Sequence, residues 1–183
     1  MRRVLGPRFF ERPALIVARD LLGKFLVRRV GGKTRAYLII ETESYFGWRD
    51  QGSHARRGET ERNAPMFAKP GTIYVYFTYG MHWMLNLVCD REHFPAAVLI
   101  RGVASDKKHL DGPAKLTAAL KIDKRLNTKL LSKKAGLWVE DRGVRVRAKD
   151  VARTPRIGIP NRGVWTEKPW RFVLKADRRI IDV

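Results

Sequence analysis

The segment Ile39-Ile40-Glu41-Thr42-Glu43-Ser44-Tyr45 combines acids and an aromatic at a spacing that could do chemistry. Read as a strand, it alternates side chains between two faces, so Tyr37, Ile39, Glu41, Glu43 and Tyr45 are expected to share one. The two glutamate Cα atoms would then lie about 6.5 to 7 Å apart. Acids on an otherwise apolar face are costly to bury unpaired. They either meet arginines in ion pairs or stand where a carboxylate is needed to activate water. Tyr45 follows Glu43 by two residues, and His54 lies in the loop beyond. Further along, Tyr74, Tyr76 and Tyr79 fall in a stretch that reads as a hairpin. Flat rings can stack on a nucleobase removed from its helix, next to a carboxylate that activates water. Ordinary packing of a half-buried sheet face is the competing reading of the same tyrosines.

These residues need elements to position them. Pro13 followed by Leu15, Ala18, Leu21 and Leu22 fits a short amphipathic helix ended by Gly23. Lys24 to Val30 reads as a strand, Gly31-Gly32 as a tight turn and Thr34 to Tyr45 as the returning strand. Residues Gly47 to Pro70 form a long loop with one short helix, and loops of that length in a folded domain are usually functional or disordered. Thr72 to Val88 reads as a hairpin with Tyr74, Tyr76 and Thr78 on one face and Val75 and Phe77 on the other. Tyr79 and Gly80 take its turn, where an exposed ring can wedge into DNA. Ala96 to Val103 is a buried strand, Asp111 opens a helix over Pro113 to Leu120, and Leu126 to Lys134 is a second, basic helix. Val144 to Arg147 and Phe172 to Leu174 read as short strands. The mixture predicts one α+β domain over residues 1–183: a curved, largely antiparallel sheet, a few helices and a protruding aromatic hairpin.

Composition limits the partners. The 183 residues hold 38 Lys and Arg against 18 Asp and Glu, a formal charge of +20. Such a balance favours polyanions, nucleic acid above all. No basic residue occurs in 71–90, so a basic surface surrounds an uncharged aromatic element. The single cysteine, Cys89, excludes an internal disulfide framework. His82, Cys89 and His93 match no zinc spacing, and no metal or cofactor is expected. Phosphate-binding glycine loops and a G-x-S-x-G elbow are absent from the sequence. Charges interrupt each N-terminal apolar run that could be a signal core, and residues 71–89 carry too many polar groups for a membrane span. A cytoplasmic, nucleoid-associated protein without signal peptide or membrane segment is expected.

The order Glu41-Thr-Glu43-Ser-Tyr45, His54-Ala-Arg56, Arg62-Asn63 and Met66 to Tyr76 resembles the alkyladenine (3-methyladenine) DNA glycosylases. Tyr79-Gly80-Met81, Asn86, Val98 to Arg101, Gly112 to Leu116 and Arg156-Ile157-Gly158 continue the resemblance, from about Pro13 to Leu174. It implies a monomeric, monofunctional base-excision enzyme that flips an alkylated or deaminated purine out of duplex DNA. Hydrolysis of the N-glycosidic bond then leaves an abasic site. 3-Methyladenine and 7-methylguanine are the implied substrates, with hypoxanthine and ethenoadenine as possible additions. On the same resemblance Glu43 matches the general base and Arg101 the arginine that holds the water and the sugar-phosphate. Tyr45, His54 and Tyr76 match the walls of the base pocket, and the His54 backbone a contact to the base. Asn86 matches the residue that obstructs the guanine amine, and Tyr79 the side chain that fills the vacated space. Glu41 is expected to be structural or electrostatic.

One departure concerns Gly102 to Asp111, where the family commonly carries a longer helical insertion. Gly102 also replaces the more usual Ala after the arginine. Two other functions compete with the glycosylase: a non-catalytic basic nucleic-acid-binding protein, and a glycosylase/lyase using Lys69 or Lys115.

Overall fold

The computed structural model describes residues 2–106, 108–160 and 163–175. Ten strands run in chain order: β1 Arg3–Val4, β2 Phe25–Val30, β3 Lys33–Phe46, β4 Ile73–Thr78, β5 His82–Val88, β6 Ala96–Ser105, β7 Lys108–Asp111, β8 Leu137–Asp141, β9 Val151–Thr154 and β10 Arg171–Leu174. Four helices accompany them: α1 Pro7–Phe10, α2 Ala14–Leu21, α3 Pro113–Ala119 and α4 Val164–Glu167. The strands form one mostly antiparallel, unclosed sheet whose main path is β1-β8-β2-β3-β6-β5-β4. The expected α+β class with a largely antiparallel sheet is therefore what the chain adopts.

Strand β3 is the spine. Its first half pairs with β2 through a turn in which Gly31 and Gly32 both take positive φ, and its second half pairs with β10. Strand β6 runs along the opposite edge of β3 for nearly its whole length. Midway, the pairing shifts twice: Ile39 faces Val103, Glu41 faces Gly102, and Thr42 faces Ile100. Ile40 on β3 and Arg101 on β6 are each left over, as paired bulges. Each bulge inverts the in–out alternation of its strand, so the two strands stay in step. Tyr37 and Ile39 accordingly lie in the main core, as do Val98, Ile100 and Val103. Beyond the bulge it is Thr42 that turns toward α2, giving its hydroxyl to the Ala18 carbonyl at 2.8 Å. The expected single face of Tyr37, Ile39, Glu41, Glu43 and Tyr45 is thus corrected: a period of 2 cannot cross a bulge.

The main core packs α2, α3 and α1 against this sheet, with Phe10, Val17, Leu21, Leu116 and Leu120 buried against Ile39, Leu87 and Ile100. Pro13 caps α2, and Gly23 (φ +79°) follows it, as the sequence suggests. A smaller cluster on the other side joins Phe25, Leu38, Ile40 and Trp138.

Four readings change. Residues 126–134 do not form a helix. After a 3-10 turn at Lys124–Leu126 the chain extends along β4, where the Thr128 amide donates to the Ile73 carbonyl and the Ile73 amide to the Lys129 carbonyl. Covering an otherwise bare edge strand outweighs local helix propensity here. Val144 to Arg147 pairs with no strand; its alternation arises because Val144 and Val146 pack on the smaller cluster. Asp111 ends β7 and pairs with Lys115 at 2.8 Å, while Gly112 caps α3. The single short helix expected in 47–70 is two 3-10 turns, His54–Arg57 and Ala64–Phe67. In place of a longer insertion after Arg101, β6 folds straight back as β7, Gly102 opposite Asp111 and Ser105 opposite Lys108.

Ile100, fully buried where β6 meets the helices, is a direct probe of this core. Ile100→Ala should lower unfolding free energy by about 2–5 kcal/mol. Val164→Ala, at an exposed position, should change it by less than about 0.5 kcal/mol. Urea denaturation followed by circular dichroism reads both.

Candidate active site

Beyond the bulge, β3 presents Glu43 and Tyr45 away from the main core, and β6 presents Arg101 beside them. Glu43 is fully buried. Its Oε1 accepts the Ile157 amide at 2.8 Å, and its Oε2 accepts the Tyr45 hydroxyl at 2.9 Å. Arg101 Nε stands 3.5 Å from Glu43 Oε1 and donates to Glu41 Oε1 at 3.0 Å. Glu41 also accepts from Arg171 on β10, and so bridges two arginines, in line with its expected structural or electrostatic part.

Desolvation is the strongest influence on Glu43 and raises its pKa; Arg101 and the two hydrogen bonds pull it back. The Tyr45 phenol is held well above its usual range, by burial first and by the Glu43 charge second. It therefore stays protonated and donates to the carboxylate.

Hairpin β4–β5 provides the facing wall. Tyr74, Tyr76 and Thr78 share the expected face, and the His54 ring meets Tyr76 edge-on, with centroids 4.6 Å apart. His54 Nδ1 is 3.1 Å from the Tyr74 hydroxyl. Partial desolvation, assisted by the charge of Arg62, pushes the His54 pKa down to about 4, so the ring is neutral at physiological pH. Burial also lifts Tyr76, to about 12. Asn63, buried beneath the loop, donates to the carbonyls of His54 and Gly58 and fixes the 3-10 turn that carries the histidine. Asn86 is buried on β5, its amide directed at the Tyr74 carbonyl at 3.3 Å.

Tyr45, His54, Tyr76, Asn86, Arg101 and Tyr79 all line one cleft of about 580 Å³. Glu43 lies behind that lining. The fold thus gathers all seven residues singled out in the sequence, from β3, β4, β5, β6, a loop and a hairpin tip. Tyr79 is the outermost, 78% exposed at φ +51°, with Met81 also exposed beside it. A positive φ is uncommon for a side chain of this size, and here it aims the ring out of the turn. Lys69 and Lys115 do not line the cleft, and Lys115 is paired with Asp111. Among the described residues no three His, Cys, Asp or Glu side chains are grouped to hold a metal; Cys89 is buried. No described helix is long and apolar enough to cross a membrane.

Sequence reasoning missed the support behind the site. Asp50 and Arg156, both fully buried as side chains, form a two-pronged ion pair, with Arg156 Nη2 2.7 Å from Asp50 Oδ1. Arg156 also donates to the Ser44 carbonyl at 2.9 Å, and its guanidinium lies 4.7 Å from the Tyr45 ring centre. Asp50 in turn accepts the amides of Phe46 and Gly52. The pair pins Ile157, whose amide holds Glu43, across more than a hundred residues of chain. The two residues lie 106 positions apart, so no local pattern pairs them; the signal in the sequence was the Arg156-Ile157-Gly158 element.

Comparison with known proteins places the chain in a family. The sequence profile of the methylpurine-DNA glycosylase family matches residues 8–178. A DNA-3-methyladenine glycosylase of Mus musculus is 36% identical over 94% of this chain, which spans 59% of the mouse protein. Proteins of Methanocella arvoryzae and Sodalis glossinidius, each named "Putative 3-methyladenine DNA glycosylase", are 43% and 44% identical. The first alignment covers 92% of this chain and 91% of its relative, the second 92% and 95%. The chain belongs to the methylpurine-DNA glycosylase family, DNA-repair hydrolases that act on N-glycosyl bonds.

Proposed function

We propose that this protein, acting as a monomeric single-domain enzyme, flips alkylated or deaminated purines out of duplex DNA and hydrolyses their N-glycosidic bonds with a water activated by Glu43. 3-Methyladenine and 7-methylguanine are the primary substrates, with hypoxanthine and ethenoadenine as further ones. The observation that carries this reading is a buried carboxylate, held by Ile157, Tyr45 and Arg101, directly behind an aromatic cleft of about 580 Å³.

Methylation at N3 or N7 makes the purine cationic and a better leaving group. A neutral His54 does not repel that cation, and the faces of Tyr45 and Tyr76 attract it, each contact contributing about 0.5 to 2 kcal/mol. As the glycosidic bond breaks, its electron pair leaves with the purine and positive charge develops at C1′. An ionised Glu43 stabilises that charge and takes a proton from water as the water oxygen bonds to C1′. Arg101 orients the carboxylates and the sugar-phosphate. Asn86, with its amide committed to the Tyr74 carbonyl, is a rigid obstacle to the exocyclic amine of guanine. Tyr79 enters the duplex and occupies the space left by the flipped base. The absence of a lysine from the cleft lining among the described residues supports hydrolysis by water over a lyase, and the buried acid supports catalysis over simple DNA binding.

Four outcomes are expected. Glu43→Gln should reduce release of methylated purine, read by chromatography of the freed bases, by about 10²–10⁴-fold while lesion-duplex affinity survives. Intact release would remove Glu43 as the base. Because its folded pKa is raised above the unfolded value, Glu43 contributes stability that is full below the unfolded pKa and lost as pH rises through the folded one. At neutral pH the Gln variant should therefore melt no lower than wild type, a loss of activity without a loss of fold. Single-turnover base release should fall toward acid with an inflection above the usual glutamate range; an inflection at or below that range contradicts the burial argument. Tyr79→Ala should weaken binding to a lesion duplex by about 1–3 kcal/mol through lost stacking, measured by fluorescence anisotropy.

A further inference from the structure

A second cavity, of about 310 Å³, opens where the β2–β3 turn meets the C-terminal end of α3. Its walls include Arg28, Lys33, Arg35 and Lys121, together with Tyr37, and no carboxylate. Lys33, Arg35 and Lys121 are exposed and enter no ion pair among the described residues. Four like charges around one hollow repel one another, and the arrangement lacks the anion that would offset them.

A buried arginine and a reachable tyrosine hydroxyl make this more than a basic surface. Arg28 is only 9% exposed, and its guanidinium has five N–H groups. Four of them donate to carbonyls: Nε to Leu120, Nη1 to Arg29 and Gly136, and Nη2 to Lys121, at 3.0 to 3.2 Å. One Nη2 hydrogen is left over. Asp123, the acid whose charge reaches Arg28, is engaged by Arg125 at 2.7 Å. Tyr37 is 5% exposed and lies on β3 with its ring in the main core. Its hydroxyl has no protein partner among the described residues and is not sealed from solvent, so it is open to the cavity that Tyr37 lines. An N–H and an O–H of the cavity lining are therefore unspent, and they share that lining with three exposed cations.

The geometry points to a phosphoryl-anion site, in which Tyr37 and Arg28 donate from below and Lys33, Arg35 and Lys121 close from the rim. Phosphate suits this donor set because it accepts several charge-assisted bonds at once. Arg35 is eight residues from Glu43 along β3, about 26 Å at strand rise, so the site is separate from the cleft. The phosphoryl group has two sources: the backbone of the same duplex beyond the lesion, or a free phosphate compound.

The sources separate by DNA length. A 12-bp duplex centred on the lesion extends about 20 Å to either side, less than the separation of the two sites, whereas a 30-bp duplex extends about 50 Å and is long enough to reach the pocket. Lys33→Ala/Arg35→Ala alters exposed side chains only, and Tyr37→Phe removes one oxygen from a core ring. If backbone phosphate is the ligand, the double variant weakens binding of the 30-bp duplex by about tenfold or more, lowers its log–log salt slope by about 2, and leaves the 12-bp duplex unchanged. If the ligand is a free compound, titration calorimetry with inorganic phosphate gives saturable binding to wild type that both variants weaken, with DNA affinities unaltered. Equal weakening on both duplexes indicates general charge loss and overturns the site. So does the absence of any phosphate or length effect. Base release from the 12-bp substrate reports separately on the cleft, so failure here leaves the assignment of Glu43 untouched.

Discussion

A carboxylate buried without compensation is expensive, and Glu43 sits at zero exposure. The rest of the site follows from how that cost is met. Ile157 and Tyr45 each donate one hydrogen bond to it, and Arg101 stands near enough to attract it without spending its Nε, which goes to Glu41. The carboxylate is thus partly satisfied and still raised in pKa, a balance suited to a group that must carry charge and yet accept a proton. The Ile157 amide can serve only because Arg156 and Asp50 clamp its segment against β3. That clamp is itself a buried ion pair, of the kind whose single-partner removal costs about 3–5 kcal/mol.

The double bulge of β3 and β6 is the second constraint. Without it Glu43 would lie on the face occupied by Ile39 and be driven into the main core against α2. With it, one strand serves an apolar core through its first half and a polar cleft through its second, with no break in pairing. The same device puts Arg101 at the unpaired position of β6, free of a cross-strand partner and able to reach both glutamates. Gly102 fits closely beside this pair: a Cβ there would stand 3.0 Å from the Glu41 Cβ, so a larger residue requires Glu41 to shift by a few tenths of an ångström.

Charge is arranged in layers. Behind the cleft, Arg101, Arg156 and Arg171 are spent internally on Glu41, Glu43 and Asp50. Farther out, most lysines and arginines have no acid to meet, as a net charge of +20 requires. Between the layers stands the hairpin β4–β5, uncharged except at its rim and anchored on its open edge by residues 127–131. An exposed ring at its tip is tolerable in water because the rest of the hairpin buries Val75, Leu85 and Leu87.

Much was legible in the sequence because the signals were local. Proline before a period-3.6 apolar run, a Gly-Gly turn between β-rich segments, and alternating tyrosines ahead of a Tyr-Gly turn each specify conformation within a few residues. Composition pointed to a polyanionic partner, and the resemblance pointed to the seven residues gathered at the cleft. What tertiary structure alone decided was where those residues meet and what supports them. A bulge depends on the register of two strands sixty residues apart, so no window of sequence reveals that alternation reverses at Ile40. The Asp50–Arg156 clamp joins positions 106 apart, each ordinary by itself. Residues 126–134 carry a helical pattern yet cover a strand edge, because unpaired backbone groups on β4 are worth more to satisfy than a short exposed helix is worth forming. Local chemistry is written in residue order; burial and partnership are properties of the folded chain.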